Sequence, residues 1–148
     1  MNDALSPTDP TTDAPTPVTR PGARFGAWQL REPLGSGGMG EVWAATRSDG
    51  LHAGRAAVKL LRAAPPDPAA AALLSARFAR EGELLARLTH PHIAQLLDAG
   101  IAADGTRFLV LEYVQGERID RWCDARRLDV PTRLRLLLQL CDAVALAL

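Results

Sequence analysis

The spacing of apolar and polar positions divides the chain into short strands and three helices. Period-two alternation or continuous apolar runs predict strands at residues 25–34, 41–47, 55–61, 93–97 and 107–113. One apolar and one charged face predict a helix from the alanines near residue 72 to residue 88, with Ser75 as its N-cap. Two further helices are predicted at residues 119–125 and 131–148. This order predicts an α+β fold with a five-stranded antiparallel sheet, in which the strongly apolar fifth strand is central.

A glycine-rich turn separates the first two predicted strands. The turn has a Gly-x-Gly-x-x-Gly spacing at Gly35, Gly37 and Gly40, which removes Cβ atoms where a ligand approaches the backbone and permits positive φ. Such turns often cradle phosphate. In dinucleotide-binding folds a helix follows the third glycine, whereas here Val42 and Trp43 predict a strand. The pattern therefore favours a glycine-rich hairpin lying over phosphates.

Composition and charge exclude several functional classes. The chain has 148 residues, 47% of them hydrophobic, which predicts one globular domain, and 17 basic residues balance 17 acidic ones. A zero net charge gives no electrostatic footprint for nucleic acid. Residues 1–24 are rich in proline and threonine and predict a disordered tail without the apolar core of a secretory signal. No apolar run is long enough to span a membrane.

The cysteines and histidines predict neither disulfide bonds nor a metal site. Cys123 and Cys141 both fall in predicted helices, which suits a reducing, cytoplasmic compartment. His90 and His92 flank a proline and have no cysteine or carboxylate ligands beside them, so packing in a loop is the expected role. We therefore assign no metal to protein ligands.

Lysine is confined to a single position. Of the 17 basic residues only Lys59 is a lysine, and it lies in the third predicted strand. An ammonium is a compact point charge on a thin stem, whereas a guanidinium is wide, planar and forked. Lys59 is therefore a candidate functional residue.

Several motifs in the same order resemble the protein kinase domain, specifically the bacterial eukaryotic-like serine/threonine protein kinases. The glycine turn resembles the nucleotide-binding loop, and Ala56-Ala57-Val58-Lys59 resembles the family's Val-Ala-Ile-Lys strand. Residues 77–81 resemble the start of the αC helix, and residues 109–114 resemble the hinge. The resemblance implies a kinase N-lobe at residues 25–114, followed by the hinge exit and first C-lobe helices at residues 115–148.

This resemblance implies that ATP binds together with Mg²⁺, although protein ligands for that metal are missing. Lys59 would neutralise the α- and β-phosphates, and Glu81 would pair with Lys59 and fix its rotamer. Glu83 is the alternative partner, two residues away. Leu111 would be the gatekeeper, while Glu112 and Val114 would offer a carbonyl and an amide to adenine. The implied nucleotide contacts are Leu34, Gly35, Ser36, Gly37, Gly38, Met39, Gly40, Val42, Ala57, Lys59, Leu111, Glu112 and Val114.

The kinase motifs that carry the catalytic base and the magnesium ligands are not found in this sequence. It contains no His-Arg-Asp loop and no Asp-Phe-Gly motif, and Asp98-Ala99-Gly100 is interpreted as a turn. We therefore expect a truncated domain without phosphotransfer activity of its own. Seven leucines between Leu134 and Leu148 populate more than one helix face, which predicts marginal stability or self-association.

Three functional hypotheses follow. The chain is the ATP-binding part of a serine/threonine kinase, or a noncatalytic module that docks a protein partner or a separate C-lobe on the helix from Leu134 to Leu148. The third hypothesis is a gene remnant without a selected function.

Overall fold

The computed structural model of the chain describes residues 19–37, 40–51, 53–61 and 66–148. These residues form a sheet and three helices. In chain order the elements are β1 (Arg24–Phe25), β2 (Trp28–Gly37), β3 (Gly40–Arg47), β4 (Arg55–Leu61), α1 (Pro68–Arg87), β5 (Leu96–Ile101), β6 (Arg107–Glu112), α2 (Ile119–Ala125) and α3 (Val130–Ala147).

The strands form one antiparallel sheet in the order β1-β2-β3-β4-β6-β5. Strands β2, β3 and β4 make the predicted meander, and β6 lies between β4 and β5, as its continuous apolar run predicts. The α+β fold class is confirmed. The sheet has one strand more than the predicted five because the two-residue β1 is too short to show any periodicity.

The hydrophobic core covers one face of the sheet. Alternate residues of neighbouring strands point into it, so that Trp43 lies opposite Val58, and Val58 opposite Val110. The rings of Phe25 and Phe108 meet edge to face, with centroids 5.5 Å apart. The buried cluster comprises Phe25, Trp28, Leu30, Trp43, Ala45, Ala56, Val58, Leu60, Phe108 and Val110.

Helix α1 begins at Pro68, directly before the run of alanines in which the sequence predicts its start. Asp67, not Ser75, is its N-cap, and the Asp67 carboxylate accepts a hydrogen bond from the Ala70 N–H at 2.9 Å. Pro68 is compatible with the first turn because a backbone N–H there has no partner within the helix. Ser75 lies inside the helix and donates to the Ala71 carbonyl. The predicted cap at Ser75 was therefore wrong.

Strand β5 begins later than predicted, and it includes the segment interpreted as a turn. Asp98 lies opposite Val110, and Gly100 lies opposite Phe108. A register irregularity between Leu96 and Asp98 breaks the alternation on which the sequence prediction rested. A Cβ on Gly100 would lie 2.7 Å from Cζ of Phe108. Glycine at this position therefore makes room for a core ring within a strand, and the turn prediction was wrong.

Part of the segment assigned to the N-terminal tail is joined to the sheet. The structure describes this segment from Thr19, and the tail residues before it lie outside the described chain. The Gly22 N–H donates to the Leu30 carbonyl at 2.8 Å, and the Leu30 N–H donates to the Ala23 carbonyl at 2.9 Å. Residues 19–24 therefore lie against β2.

Helices α2 and α3 follow the last strand and match their predicted bounds closely. The Asp129 carboxylate caps α3 by accepting from the Thr132 N–H at 3.0 Å, and Arg133 pairs with Asp124 of α2 at 2.8 Å. Both cysteines are helical and free, as the sequence predicts. Apolar side chains of α3 are exposed on several sides, namely Leu134, Leu137, Leu138, Leu140, Val144 and Leu146.

Gly40 offers a direct test of the sheet geometry. Its φ is +135°, and a Cβ there would lie 1.9 Å from the Leu60 carbonyl oxygen. We expect Gly40→Ala to lower the free energy of unfolding by about 1–3 kcal/mol, because backbone must shift to remove the strain and the clash. Gly35→Ala is the matched control, since nothing lies within 4 Å of its Cβ position. Urea unfolding of both variants measures the difference, and equal stabilities would contradict the described approach of β3 to β4.

Candidate functional site

The face of the sheet opposite the core carries most of the predicted site residues. Directly opposed residues of neighbouring antiparallel strands share a face, so Val42, Lys59 and Leu109 form one row across β3, β4 and β6. Gly35 extends that row onto β2. The adjacent row consists of Ala44, Ala57 and Leu111. We call these two rows the Lys59 face. It combines apolar surface with one ammonium group beside the glycine turn.

The three motif glycines of the turn have two different roles. Gly40 is required by the protein itself, because its backbone lies against that of Leu60. By contrast, Gly35 and Gly37 have open space where a Cβ would be, which leaves room for a ligand to approach the backbone. Ser36 is exposed, as is Leu34 at the entrance to the turn. The predicted contacts Gly38 and Met39 lie outside the described residues.

Lys59 is half-buried at the centre of its row. Its cross-strand neighbours, Val42 and Leu109, are apolar. Within the described ranges, the Lys59 ammonium has no carboxylate within 4.0 Å. A cation in this setting is suited to binding an anionic ligand placed under the glycine turn.

Glu81 lies on α1 and is exposed in this conformation. Helix α1 contacts β5, and none of its residues is buried. Its half-buried stripe includes Phe78 and Leu85, and Glu81 borders that stripe because it lies three residues after Phe78 and four before Leu85. Glu83 lies two residues before Leu85 and is turned away. Glu81 therefore lies nearer the sheet side of α1 than Glu83 does, and among the described residues it forms no ion pair with Lys59.

The predicted hinge begins where β6 ends. The Glu112 N–H donates to the Gln95 carbonyl at 2.8 Å, while Val114 is 67% exposed just beyond the strand. The Arg55 guanidinium lies 4.2 Å from the ring centroid of Tyr113, in a cation–π contact between β4 and the residue after β6. Leu111 is half-buried opposite Ala57. The hinge edge and the Lys59 face are therefore continuous.

The sequence prediction missed a hydrogen-bonded cluster behind the glycine turn. The Glu41 carboxylate accepts from the Thr19 hydroxyl at 2.6 Å and from the Trp43 indole N–H at 3.0 Å, both at Oε2. The bond from Thr19, followed by that from Trp43, lowers the pKa of Glu41 below its ordinary value. Trp43 is buried. No periodic pattern in the sequence predicts that Thr19 contacts Glu41. The only available signal was the position of the Glu41 carboxylate directly after the last glycine of the turn.

Neither a metal cluster nor a membrane span is found in the part of the chain that the structure describes. No three or more His, Cys, Asp or Glu side chains come together there in a way that could hold an ion. His90 and His92 instead contact each other, with ring centroids 5.3 Å apart. None of the described helices combines the length and apolarity needed to cross a bilayer.

Comparison with known proteins agrees with this geometry. A family model described as protein tyrosine and serine/threonine kinase matches residues 28–147. The chain is 35% identical to the serine/threonine-protein kinase pkn2 of Myxococcus xanthus over 121 residues, which cover 81% of this chain and 14% of pkn2. It is 40% identical to the serine/threonine-protein kinase PknF of Mycobacterium tuberculosis over 100 residues, covering 64% of this chain and 19% of PknF.

Solved structures show the same likeness. The crystal structure of the M. tuberculosis PknI kinase domain matches with a TM-score of 0.66 and 30% identity, covering 87% of this chain and 50% of that domain. The chain thus spans half of that kinase domain and less than a fifth of the length of pkn2 or PknF. Because the family model covers most of the residues, the chain belongs to the protein kinase family, and its relatives are bacterial serine/threonine kinases.

Proposed function

We propose that this chain provides the ATP-binding part of a serine/threonine protein kinase. The whole protein would transfer the γ-phosphoryl group of ATP to a serine or threonine hydroxyl of another protein. The observation that carries the proposal is the row formed by Gly35, Val42 and Lys59. It places an open glycine backbone, an apolar side chain and the chain's one lysine side by side on the face of the sheet opposite the main core, where Lys59 is half-buried and Leu109 is buried.

Each part of the nucleotide has a matching group on this face. Backbone amides between Ser36 and Gly40 would cover the phosphates, and Lys59 would neutralise their oxygens. Apolar Val42 and Ala57 would lie against adenine, with Leu111 at the back of the pocket. The hinge residues Glu112 and Val114 would contribute a carbonyl and an amide, and Leu34 would close the outer edge. Mg²⁺ would arrive with the nucleotide and supply further charge neutralisation between its phosphates.

Glu81 would join the site by a movement of α1. The helix is attached to β5 without a buried side chain, so its position is weakly constrained by packing. A displacement toward β4 would bring the Glu81 carboxylate to Lys59 and restrict the lysine rotamer. Lys59 and Glu81 are therefore proposed as the catalytic pair of this half of the active site.

We further propose that these 148 residues do not transfer phosphate by themselves. The reaction requires a group that orients the acceptor hydroxyl and ligands that hold the metal. The sequence lacks the His-Arg-Asp and Asp-Phe-Gly motifs that provide them in the family. We therefore expect this chain to bind ATP without transferring its γ-phosphoryl group.

A second candidate function is docking of a protein partner on α3. The side chains of Leu134, Leu137 and Leu138 are each more than half exposed. Full burial of such a side chain contributes about 1.5–3 kcal/mol, so a complementary surface would gain several kilocalories per mole from this helix. We also propose a cytoplasmic location for the protein, because free cysteines such as Cys123 and Cys141 suit a reducing compartment.

ATP binding can be measured at Lys59 directly. A lysine-acylating ATP probe has one side-chain target in this chain, and we expect excess ATP to protect it. Lys59→Met should weaken ATP binding about tenfold to a hundredfold, because hydrogen bonds to charged groups contribute about 1.5–3 kcal/mol. Equilibrium binding of a fluorescent ATP analogue measures this loss. Labelling of Lys59 that ATP leaves unchanged would argue against the proposed site.

The carboxylate assignment calls for a matched pair of variants. We expect Glu81→Gln to weaken ATP binding several-fold and Glu83→Gln to leave it unchanged, because only Glu81 borders the face of α1 that lies on the sheet. The same fluorescent analogue serves as readout. A larger effect at Glu83 would reverse the assignment.

Catalysis is tested with the purified 148-residue chain, Mg-ATP and a mixture of acceptor proteins. We expect radiolabel transfer no greater than that of the Lys59→Met variant. Transfer that depends on Lys59 would contradict the proposed separation of binding from chemistry.

The exposed leucines of α3 predict concentration-dependent self-association of the isolated chain, because no partner covers them. Leu134→Gln combined with Leu138→Gln should shift the chain toward a monomer, because these residues lie four apart on one side of the helix. Arg135→Gln is the control on the same helix. Sedimentation velocity over a range of concentrations measures the change. A wild-type chain that stays monomeric, or an equal shift in the control, would show that these leucines do not form an associating surface.

A further inference from the structure

The segment that precedes the sheet is bound to both strands of the glycine hairpin. Its backbone is held to β2 through Gly22 and Ala23, which exchange hydrogen bonds with Leu30. Its Thr19 side chain reaches across to β3, where the hydroxyl donates to Glu41 Oε2 at 2.6 Å. The segment therefore contacts both strands of the hairpin, which also pair with each other along their length.

Glu41 is the junction of this link. It directly follows Gly40, the last glycine of the turn, and it lies opposite Ser36 of β2. Its carboxylate is also held by the indole N–H of Trp43, a core residue that is 7% exposed. A hydrogen bond from a hydroxyl to a carboxylate is stronger and shorter than one between two neutral groups. The beginning of β3 is thus fixed from the core by Trp43 and from outside by Thr19.

An open cavity of about 360 Å³ lies beside this link. Its walls include Thr19, Leu34, Gly35, Ser36, Glu41 and Trp43. The backbone of Gly35 and Ser36 therefore borders open space here, next to the Thr19–Glu41 bond. That bond restrains the hairpin at the residue that follows Gly40.

We propose that Thr19 is a positioning residue for the glycine-rich turn, acting through Glu41 to hold the turn where it can bind ATP phosphates. This inference rests on the proposed function of the Lys59 face. Thr19 itself touches neither the Lys59 face nor the nucleotide. It contributes by limiting the positions that the start of β3 can occupy, so that less order has to be gained when a ligand binds.

The test uses the full 148-residue chain and an isosteric pair of variants. Thr19→Val removes the hydroxyl and keeps the shape, whereas Thr19→Ser keeps the hydroxyl. We expect Thr19→Val to raise the dissociation constant of the fluorescent ATP analogue about three- to tenfold, in line with the loss of one charge-assisted hydrogen bond. Thr19→Ser should stay close to wild type. Hydrogen exchange at residues 34–37 and 40–42 should rise in the valine variant and not in the serine variant.

Ser48→Ala separates positioning from general stability. The Ser48 hydroxyl donates to the Ala27 carbonyl at 3.1 Å, at the opposite end of the same two strands. Loss of the Ser48 hydroxyl should lower the free energy of unfolding about as much as Thr19→Val does, without changing the affinity for ATP. Glu41→Gln combined with Thr19→Val should weaken binding little more than either change alone, because both act on the same hydrogen bond.

Each result distinguishes this inference from the function on which it rests. ATP affinity that is unchanged in Thr19→Val, or reduced equally in Ser48→Ala, would overturn the positioning role while leaving the nucleotide site in place. A wild-type chain that does not bind the analogue would overturn the proposed function. In that case, hydrogen exchange at residues 34–37 and 40–42 that is unchanged in Thr19→Val would additionally show that the Thr19 hydroxyl does not restrain the turn.

Discussion

The pairing of β3 with β4 is the constraint on which both the core and the candidate site depend. On one face it joins Trp43 to Val58 within the core, and on the other it places Val42 beside Lys59. A register shift of one residue would exchange the two faces and move Lys59 into the core. Burial of an unpaired ammonium is strongly unfavourable, so the hydrophobic core and the position of the lysine select the same register.

Strands with a strong apolar pattern were predictable, and elements that depend on local exceptions were not. The run in β6 identified an interior strand, and the pattern of β4 identified that strand with its observed bounds. The early start of α1 depends on Pro68, which reads as a loop residue unless the cap at Asp67 is recognised. Gly100 resembles a turn glycine in sequence, yet it serves to accommodate the ring of Phe108 from another strand.

The candidate site was also predictable only in part. Motif spacing identified the chemical groups, but the row that brings Gly35 and Lys59 together is produced by pairing between strands. Thr19 could not have been found, because its bond to Glu41 spans 22 residues and leaves no periodic signal. The separation of Glu81 from Lys59 was equally inaccessible, since it follows from how α1 packs on β5.

That separation has a physical cause in the weak packing of α1. A partly exposed ion pair contributes about 0–1 kcal/mol, which is too little to hold a twenty-residue helix in place. The same helix leaves Leu73 and Leu84 each 56% exposed, and burial of one such leucine contributes about 1.5–3 kcal/mol. A surface that covered these leucines would therefore fix the position of the helix more strongly than a Lys59–Glu81 ion pair would.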